Sequence, residues 1–318
     1  MTGTCSKSDC GYPNGLGCDN GETSLENCRY FKRGEDSSSS PIDRSKTTPD
    51  SGEKAFRLPW TGRALGLNDL FLASARSGAE LIALVGPYNA GKTALLTSMF
   101  VHLAKLGAIG DSRFAGSFSL EGWSLLREYT KWPNAHGHSF PPHTPDSNDR
   151  VPSLLHLAFR KSSEPVKDYL FTDAPGEWFT RWQKKHDADD AKGARWIVEN
   201  ASRFVYVVDR EGLAGNDRQM LSHTTRALAR VLAEHRRDRP IIAAWTKSDQ
   251  ETNATVERAV RSSLQENFGD HPSLNLSALD GSSVELLHQL LTPLAVPERA
   301  IVSNVPSSPF CAYRGGRP

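Results

Sequence analysis

The stretch LVGPYNAGKTALL (residues 84–96) sets Gly86, Gly91, Lys92 and Thr93 in the spacing of a phosphate-binding loop. The apolar run that leads into it, ELIALV, predicts a buried strand. The apolar residues after it recur at intervals of three and four, predicting a helix from Lys92 to about Lys105. A loop between such a strand and helix aims several backbone amides and the positive helix end at one point, which favours a phosphate group. Gly86 and Gly91 permit close backbone approach, and Pro87, Tyr88, Asn89, Ala90 and Ala94 complete the cradle. Lys92 offers a point charge to the outer phosphates, and the Thr93 hydroxyl suits Mg²⁺.

Outward from this loop the same alternation continues. A helical pattern at about residues 64–75 precedes it. LLHLAF, DYLFTD, FVYVVD, IIAAWT and SLNLSAL read as strands, with helices predicted at about 191–200, 217–235, 256–267 and 283–291. Continuous apolar strands between amphipathic helices predict a three-layer α/β sandwich, a mostly parallel sheet covered on both faces. The interval 107–152 is less regular, and its second half, KWPNAHGHSFPPHTPDSNDRVP, is too rich in Pro, His and Asn for a core element. A loop that long points to function. Its three histidines lack metal-ligand spacing and read as a solvated segment.

Two further segments carry chemistry. In DYLFTDAPGEW a strand delivers Asp173 at its C-terminal end, where a carboxylate can hold the water shell of Mg²⁺ and the Gly176 amide can meet a γ-phosphate. In IIAAWTKSDQ another strand delivers Thr246, Lys247 and Asp249. There the Asp can accept hydrogen bonds from the amine and ring N–H of guanine while the Lys stem lies along the base. Adenine presents no such donor pair, so the carboxylate discriminates against ATP. About thirty residues later Ser277, Ala278 and Leu279 form a small tight loop suited to cover the base edge.

These four elements occur in order, each at the C-terminal end of a predicted strand, where an open α/β sheet binds ligands. Through GPYNAGKT, DAPG, TKSD and SAL, over about residues 79–293, the chain resembles the translation-factor-like (TRAFAC) class of P-loop GTPases. It is similar more narrowly to a bacterial group of double-GTPase-like proteins, whose phrase D-x-PGEWF matches residues 173–179 and which often carry cysteine-rich N-termini. The resemblance implies GTP and GDP as ligands, Mg²⁺ as cofactor, and hydrolysis to GDP and phosphate. It further implies a switch that acts with a protein effector or activating partner in a bacterial multi-component system, and it leaves a homodimer open. One departure is Thr246, where most of the class has Asn and dynamin-like members have Thr; Asp249 keeps guanine the expected base.

The same resemblance frames the hydrolysis question. Where many small GTPases place a Gln that orients water, this chain has Glu177, which either polarises water or braces the loop. A Thr that closes over Mg²⁺ is expected between the first helix and the second strand; Thr144 is the first choice and Ser139 the alternative. Asn89 matches the G-x-x-N-x-G-K-[ST] loop of Era-like GTPases, which implies a K⁺ ion near the phosphates. The rival reading is a nucleotide-dependent scaffold that binds GTP and hardly hydrolyses it. An ATP-dependent kinase is disfavoured by Asp249.

At 318 residues the chain can hold one sizeable α/β domain, expected at 56–295, plus an appendage. Residues 1–34 carry Cys5, Cys10, Cys18 and Cys28 with almost nothing apolar, so four thiolates on one Zn²⁺ would explain how the segment folds. The competing reading is a tail with incidental cysteines. EDSSSSPIDRSKTTPDSGEK (35–54, the linker running to 55) lacks the apolar area to order itself, and 296–318 reads as an irregular tail. A net charge of +1 supplies no overall field for nucleic acid or an anionic membrane. No secretory signal or 20-residue apolar span is present in the sequence, so a cytoplasmic location is expected.

Overall fold

A computed structural model of the chain describes residues 63–70, 73, 78–128, 152–162 and 164–293, and the strand backbone of 3–5 and 31–33. The chain divides into two compact units, Met1–Leu58 and Pro59–Pro318. In the first, β1 (Gly3–Cys5) runs antiparallel to β2 (Phe31–Arg33), with Gly3 opposite Arg33 and Cys5 opposite Phe31. The side chains of Cys5, Cys10, Cys18 and Cys28 lie outside the described residues, as do the linker and tail read at 35–55 and 296–318.

In the second unit ELIALV forms β3 (Glu80–Val85), buried along its whole length. The phosphate-loop sequence leads into α1 (Lys92–Leu106), which ends at Gly107 with φ of 68°, a left-handed cap that glycine adopts without strain. Then follow β4 (Ala108–Ile109), β5 (Ser112–Gly116) and α2 (Leu120–Glu128). The chain continues through β6 (Leu154–Arg160), β7 (Lys167–Thr172), α3 (Gly176–Lys184), α4 (Lys192–Asn200) and β8 (Arg203–Asp209). It closes with α5 (Arg210–Ala214), α6 (Arg218–Arg236), β9 (Ile241–Thr246), α7 (Ala254–Phe268), β10 (Ser273–Asn275) and α8 (Ser283–Leu291).

The sheet order is β10-β9-β8-β3-β7-β6-β5-β4. Strands β10 to β7 are mutually parallel, whereas β6, β5 and β4 continue the sheet as antiparallel neighbours. Strand side chains alternate between faces, so each run feeds two cores. Ile82, Leu84, Val205 and Val207 pack under α1, α2 and α8. Ala83, Val85, Phe204 and Tyr206 pack under α3, α4, α6 and α7. Trp182, Trp245 and Tyr206 are among the largest fully buried side chains, and burying each contributes about 2–3 kcal/mol. Helices thus cover both faces, as the alternating pattern requires.

At the N-terminal edge of the parallel strands Glu80 accepts from Arg203 Nε at 3.0 Å and pairs with Lys167, while Arg203 also donates to the Gln289 and Thr292 carbonyls. One buried carboxylate therefore ties the starts of β3, β7 and β8 to the end of α8. The opposite edge carries the loops.

Two expectations change. The interval 107–152 was expected to be less regular, but its part 107–128 forms the β4–β5 hairpin and α2; Gly110, with φ of 55°, makes the tight turn between those strands. The helix expected over 64–75 begins as a 3₁₀ turn at Leu67–Asp69, with Leu70 and Ala73 helical. Among the described residues no helix is long and apolar enough to cross a membrane.

Candidate functional site

The loop between β3 and α1 is fixed by backbone geometry. A Cβ on Gly86 would sit 2.5 Å from the Val207 carbonyl oxygen, so only glycine lets the loop leave β3 against β8. Gly91 has φ of 81° and Asn89 φ of 58°, both left-handed, a region that asparagine tolerates better than most residues. Lys92 folds back over the loop, its Nζ donating to the carbonyls of Gly86 at 3.1 Å and Pro87 at 3.0 Å. Thr93 Oγ1 donates to Asp173 Oδ1 at 2.8 Å, which brings the ends of β3 and β7 together. Gly176 lies so close to the Pro87–Tyr88 peptide that a Cβ there would collide with the Tyr88 nitrogen.

The Thr-Lys-x-Asp segment ends the parallel strand β9. Thr246 is buried, and its hydroxyl donates to the carbonyls of Ala90 at 2.8 Å and Val208 at 3.0 Å. It stitches the phosphate loop to β8 and β9, so its hydroxyl is spent on the scaffold. Lys247 has φ of 56°, which costs a side-chain-bearing residue on the order of 1 kcal/mol, and Nζ pairs with Asp209 at 2.9 Å and Glu211 at 3.0 Å. Asp249 Oδ1 accepts from Ser277 Oγ at 2.6 Å, and Ser277 Oγ in turn accepts from the Leu279 amide at 3.1 Å.

These pieces enclose one cavity of about 450 Å³, lined at one side by residues 88–95 and 174–177 and at the other by Glu211, Lys247, Asp249, Ala278 and Leu279. The expected site residues fall into two sets. Tyr88, Asn89, Ala90, Gly91, Lys92, Thr93, Ala94, Gly176, Glu177, Thr246, Lys247, Asp249, Ala278 and Leu279 form its wall. Gly86, Pro87, Asp173 and Ser277 stand behind it and hold wall residues in place. The Ser277 hydroxyl braces Asp249, while Ala278 and Leu279 of the same loop line the cavity.

Residues 80–292 match the family Double-GTPase 2. The chain belongs to the Double-GTPase 2 family. Membership makes it a GTP-binding protein of the P-loop class. No curated protein shows significant sequence similarity to it. Among solved structures it is similar to an Era in complex with MgGDPNP and a stretch of 16S ribosomal RNA, at 18% identity and a TM-score of 0.37. It is also similar to an Aquifex aeolicus Era variant bound to GDP·AlF4⁻, at 17% identity and a TM-score of 0.35. Each match covers 69% of this chain and 58% of the Era chain, and likenesses this slight carry no further argument.

In this Double-GTPase 2 member the charges divide by end. Burial strips water from Lys92 and lowers its pKa from 10.5 to about 8, while the carboxylates of Asp173 and Glu177 pull it back up. The Ser277 hydroxyl holds the Asp249 carboxyl below its ordinary value, against a smaller opposing effect of burial and with help from Gln250. Thr93 and Asp173 supply hard oxygen donors 2.8 Å apart beside Lys92, a donor set that suits Mg²⁺. No cluster of three or more metal-ligating side chains occurs among the described residues. Thr144 and Ser139 lie outside the described residues, so neither switch reading is placed. Asp209 and Glu211 were missed from the sequence; an acidic pair directly after the strand FVYVV was the available signal.

Proposed function

We propose that the cavity binds GTP with Mg²⁺ and hydrolyses it to GDP and phosphate, and that the protein acts as a nucleotide-dependent switch. The observation that carries this is one cavity with a buried lysine and helix N-terminus at one side and a carboxylate held ionised at the other. The first suits an outer phosphate, and the second suits the paired donors of guanine. Lys92 would contact the β and γ phosphates, Thr93 and Asp173 would hold Mg²⁺, and Asp249 would select the base. Bound Mg²⁺ supplies positive charge to the phosphate oxygens. Binding titrations with GTP, GDP and ATP, followed by phosphate release, test this; tighter binding of ATP than GTP would overturn it.

Glu177 lines the cavity close enough to Lys92 to raise its proton affinity. In the hydrolytic reading this carboxylate orients the attacking water. Its charge beside a γ-phosphate also favours the second reading, a scaffold that binds GTP and turns it over slowly. Phosphate release below one GTP per hour, with and without candidate partners, would select the scaffold.

Two results are expected at the phosphate end. Thr93→Ala removes one Mg²⁺ ligand and the bond to Asp173, so Mg²⁺-dependent GTP affinity should fall about 10- to 100-fold while binding measured without Mg²⁺ changes little. Asn89 lines the cavity on a left-handed backbone and is proposed to help hold K⁺ beside the phosphates. Hydrolysis should then run at least tenfold faster in KCl than in NaCl, and the difference should vanish in Asn89→Ala. Equal rates in the two salts would remove K⁺ from the scheme.

A further inference from the structure

We propose that Asp209 and Glu211 are positioning residues that hold Lys247 as a fixed apolar platform for the guanine ring, an inference that rests on the GTP reading above. Strand β8 ends at Asp209 and α5 opens with Arg210 and Glu211, and all three side chains turn to the loop after β9. Asp209 pairs with Lys247 Nζ through Oδ2 at 2.9 Å, and its Oδ1 accepts the Gly212 amide at 3.0 Å. Both oxygens are therefore committed, and the carboxylate cannot rotate away. Gly212 leaves room for this arrangement: a Cβ there would lie 2.9 Å from Asp209 Oδ2 and would push on the Leu221 side chain. Glu211 reaches the same ammonium at 3.0 Å from a position that is 57% exposed on the cavity wall. Arg210, between them, donates to the Ser248 carbonyl at 3.2 Å and to Glu257 at 3.3 Å.

The consequence is chemical. Lys247 lines the cavity while its ammonium is tied to two carboxylates, buried Asp209 behind the wall and exposed Glu211 on it. What it offers a ligand is then its methylene stem, with rotamer freedom already removed before any base arrives. Burial lowers the proton affinity of Lys247, but the hydrogen bonds and charges of Asp209 and Glu211 more than offset it, so the ammonium stays charged and paired. The left-handed φ of 56° at Lys247 is the conformation this clamp holds in place. A contact to the ring face does not change between GTP and GDP, so the clamp serves uniform binding and leaves the chemical step alone.

The test is a double-mutant cycle in the full chain, read by GTP and GDP affinity and by kcat. Glu211→Gln, on an exposed side chain that the fold does not need, should weaken GTP and GDP by the same three- to tenfold with kcat unchanged. Asp209→Asn should weaken both about tenfold or more. In a Lys247→Met background Glu211→Gln should cost nothing further, because it acts only through the lysine. Additive losses, or losses confined to kcat, would mean that the carboxylates act elsewhere and would overturn the clamp. GTP binding by the unmodified protein that both single variants leave within twofold also overturns it. No GTP binding by the unmodified protein overturns the GTP reading itself, and the clamp falls with it.

Discussion

Lys92→Met should weaken GTP binding by at least 100-fold while leaving the thermal midpoint within a few degrees of the unmodified protein. The two halves of this result come from the same burial. Lys92 is 7% exposed, and holding a charge there costs the fold roughly 3 kcal/mol, the size of a shift from 10.5 to about 8. The unfolded chain keeps the proton more tightly, so this cost is present in full below about pH 8 and disappears as pH rises toward 10.5. Methionine removes it, and loses in exchange the two bonds to the Gly86 and Pro87 carbonyls. A phosphate ligand reverses the balance, because each charge-assisted bond contributes about 1.5–3 kcal/mol. Negative charge at the site also raises the lysine's pKa, so GTP affinity should be constant below about pH 8 and fall by up to about tenfold per unit above it. Lys92→Met should abolish that slope. Calorimetric titrations from pH 6.5 to 9.5, with melting curves at each pH, measure both.

Asp249→Asn should lower GTP affinity about 10²- to 10⁴-fold and create binding of xanthosine triphosphate. The Ser277 hydroxyl and Gln250 amide hold this carboxylate ionised, so it is an acceptor only. Guanine shows it two donors, the ring N–H and the exocyclic amine. Asparagine would set its own amide donor against that amine, leaving a donor facing a donor. Xanthine carries a carbonyl in place of the amine, so the same asparagine matches it with one donor and one acceptor. Competition of labelled GTP by xanthosine, guanosine and adenosine triphosphates measures the change. Retained GTP preference in Asp249→Asn would move base selection away from the end of β9.

Much of this architecture was legible because the parallel strands are buried on both faces and leave unbroken apolar runs. ELIALV, FVYVVD and IIAAWT could not be surface segments, and the motifs at their ends shared one edge once the runs were parallel. Strand direction is not written in an apolar run, so nothing in LLHLAF distinguished the antiparallel course of β6. The β4–β5 hairpin was hidden by its shortness, although Ile109-Gly110-Asp111-Ser112 is a turn sequence that favours a tight reversal. In α3 the aromatic residues Trp178, Phe179 and Trp182 recur at helical spacing directly behind a Pro-Gly pair, a helix signal that is short and opens on residues common in turns. Within the site the motif residues were readable singly. Their supports were not: Asp209 and Lys247 are 38 positions apart, and Asp249 and Ser277 are 28 apart. Only the folded sheet, which aligns Asp209 with Thr246 across β8 and β9, brings such partners together.

The close seat of Gly176 on the Pro87–Tyr88 peptide bears on how a phosphate would be sensed. Gly176 is the first residue of α3, and from two residues on that helix is nailed into the core by Trp178, Phe179 and Trp182, all at 2% exposure or less. Pulling those rings out would cost several kcal/mol, more than an ordering change of a loop commonly involves. A displacement of the phosphate loop would therefore reach α3 as movement of a solid piece rather than as unfolding of its first turn. The far side of that piece rests on α4 and α6, so a push at the phosphate loop would be felt in the helical layer on that face of the sheet.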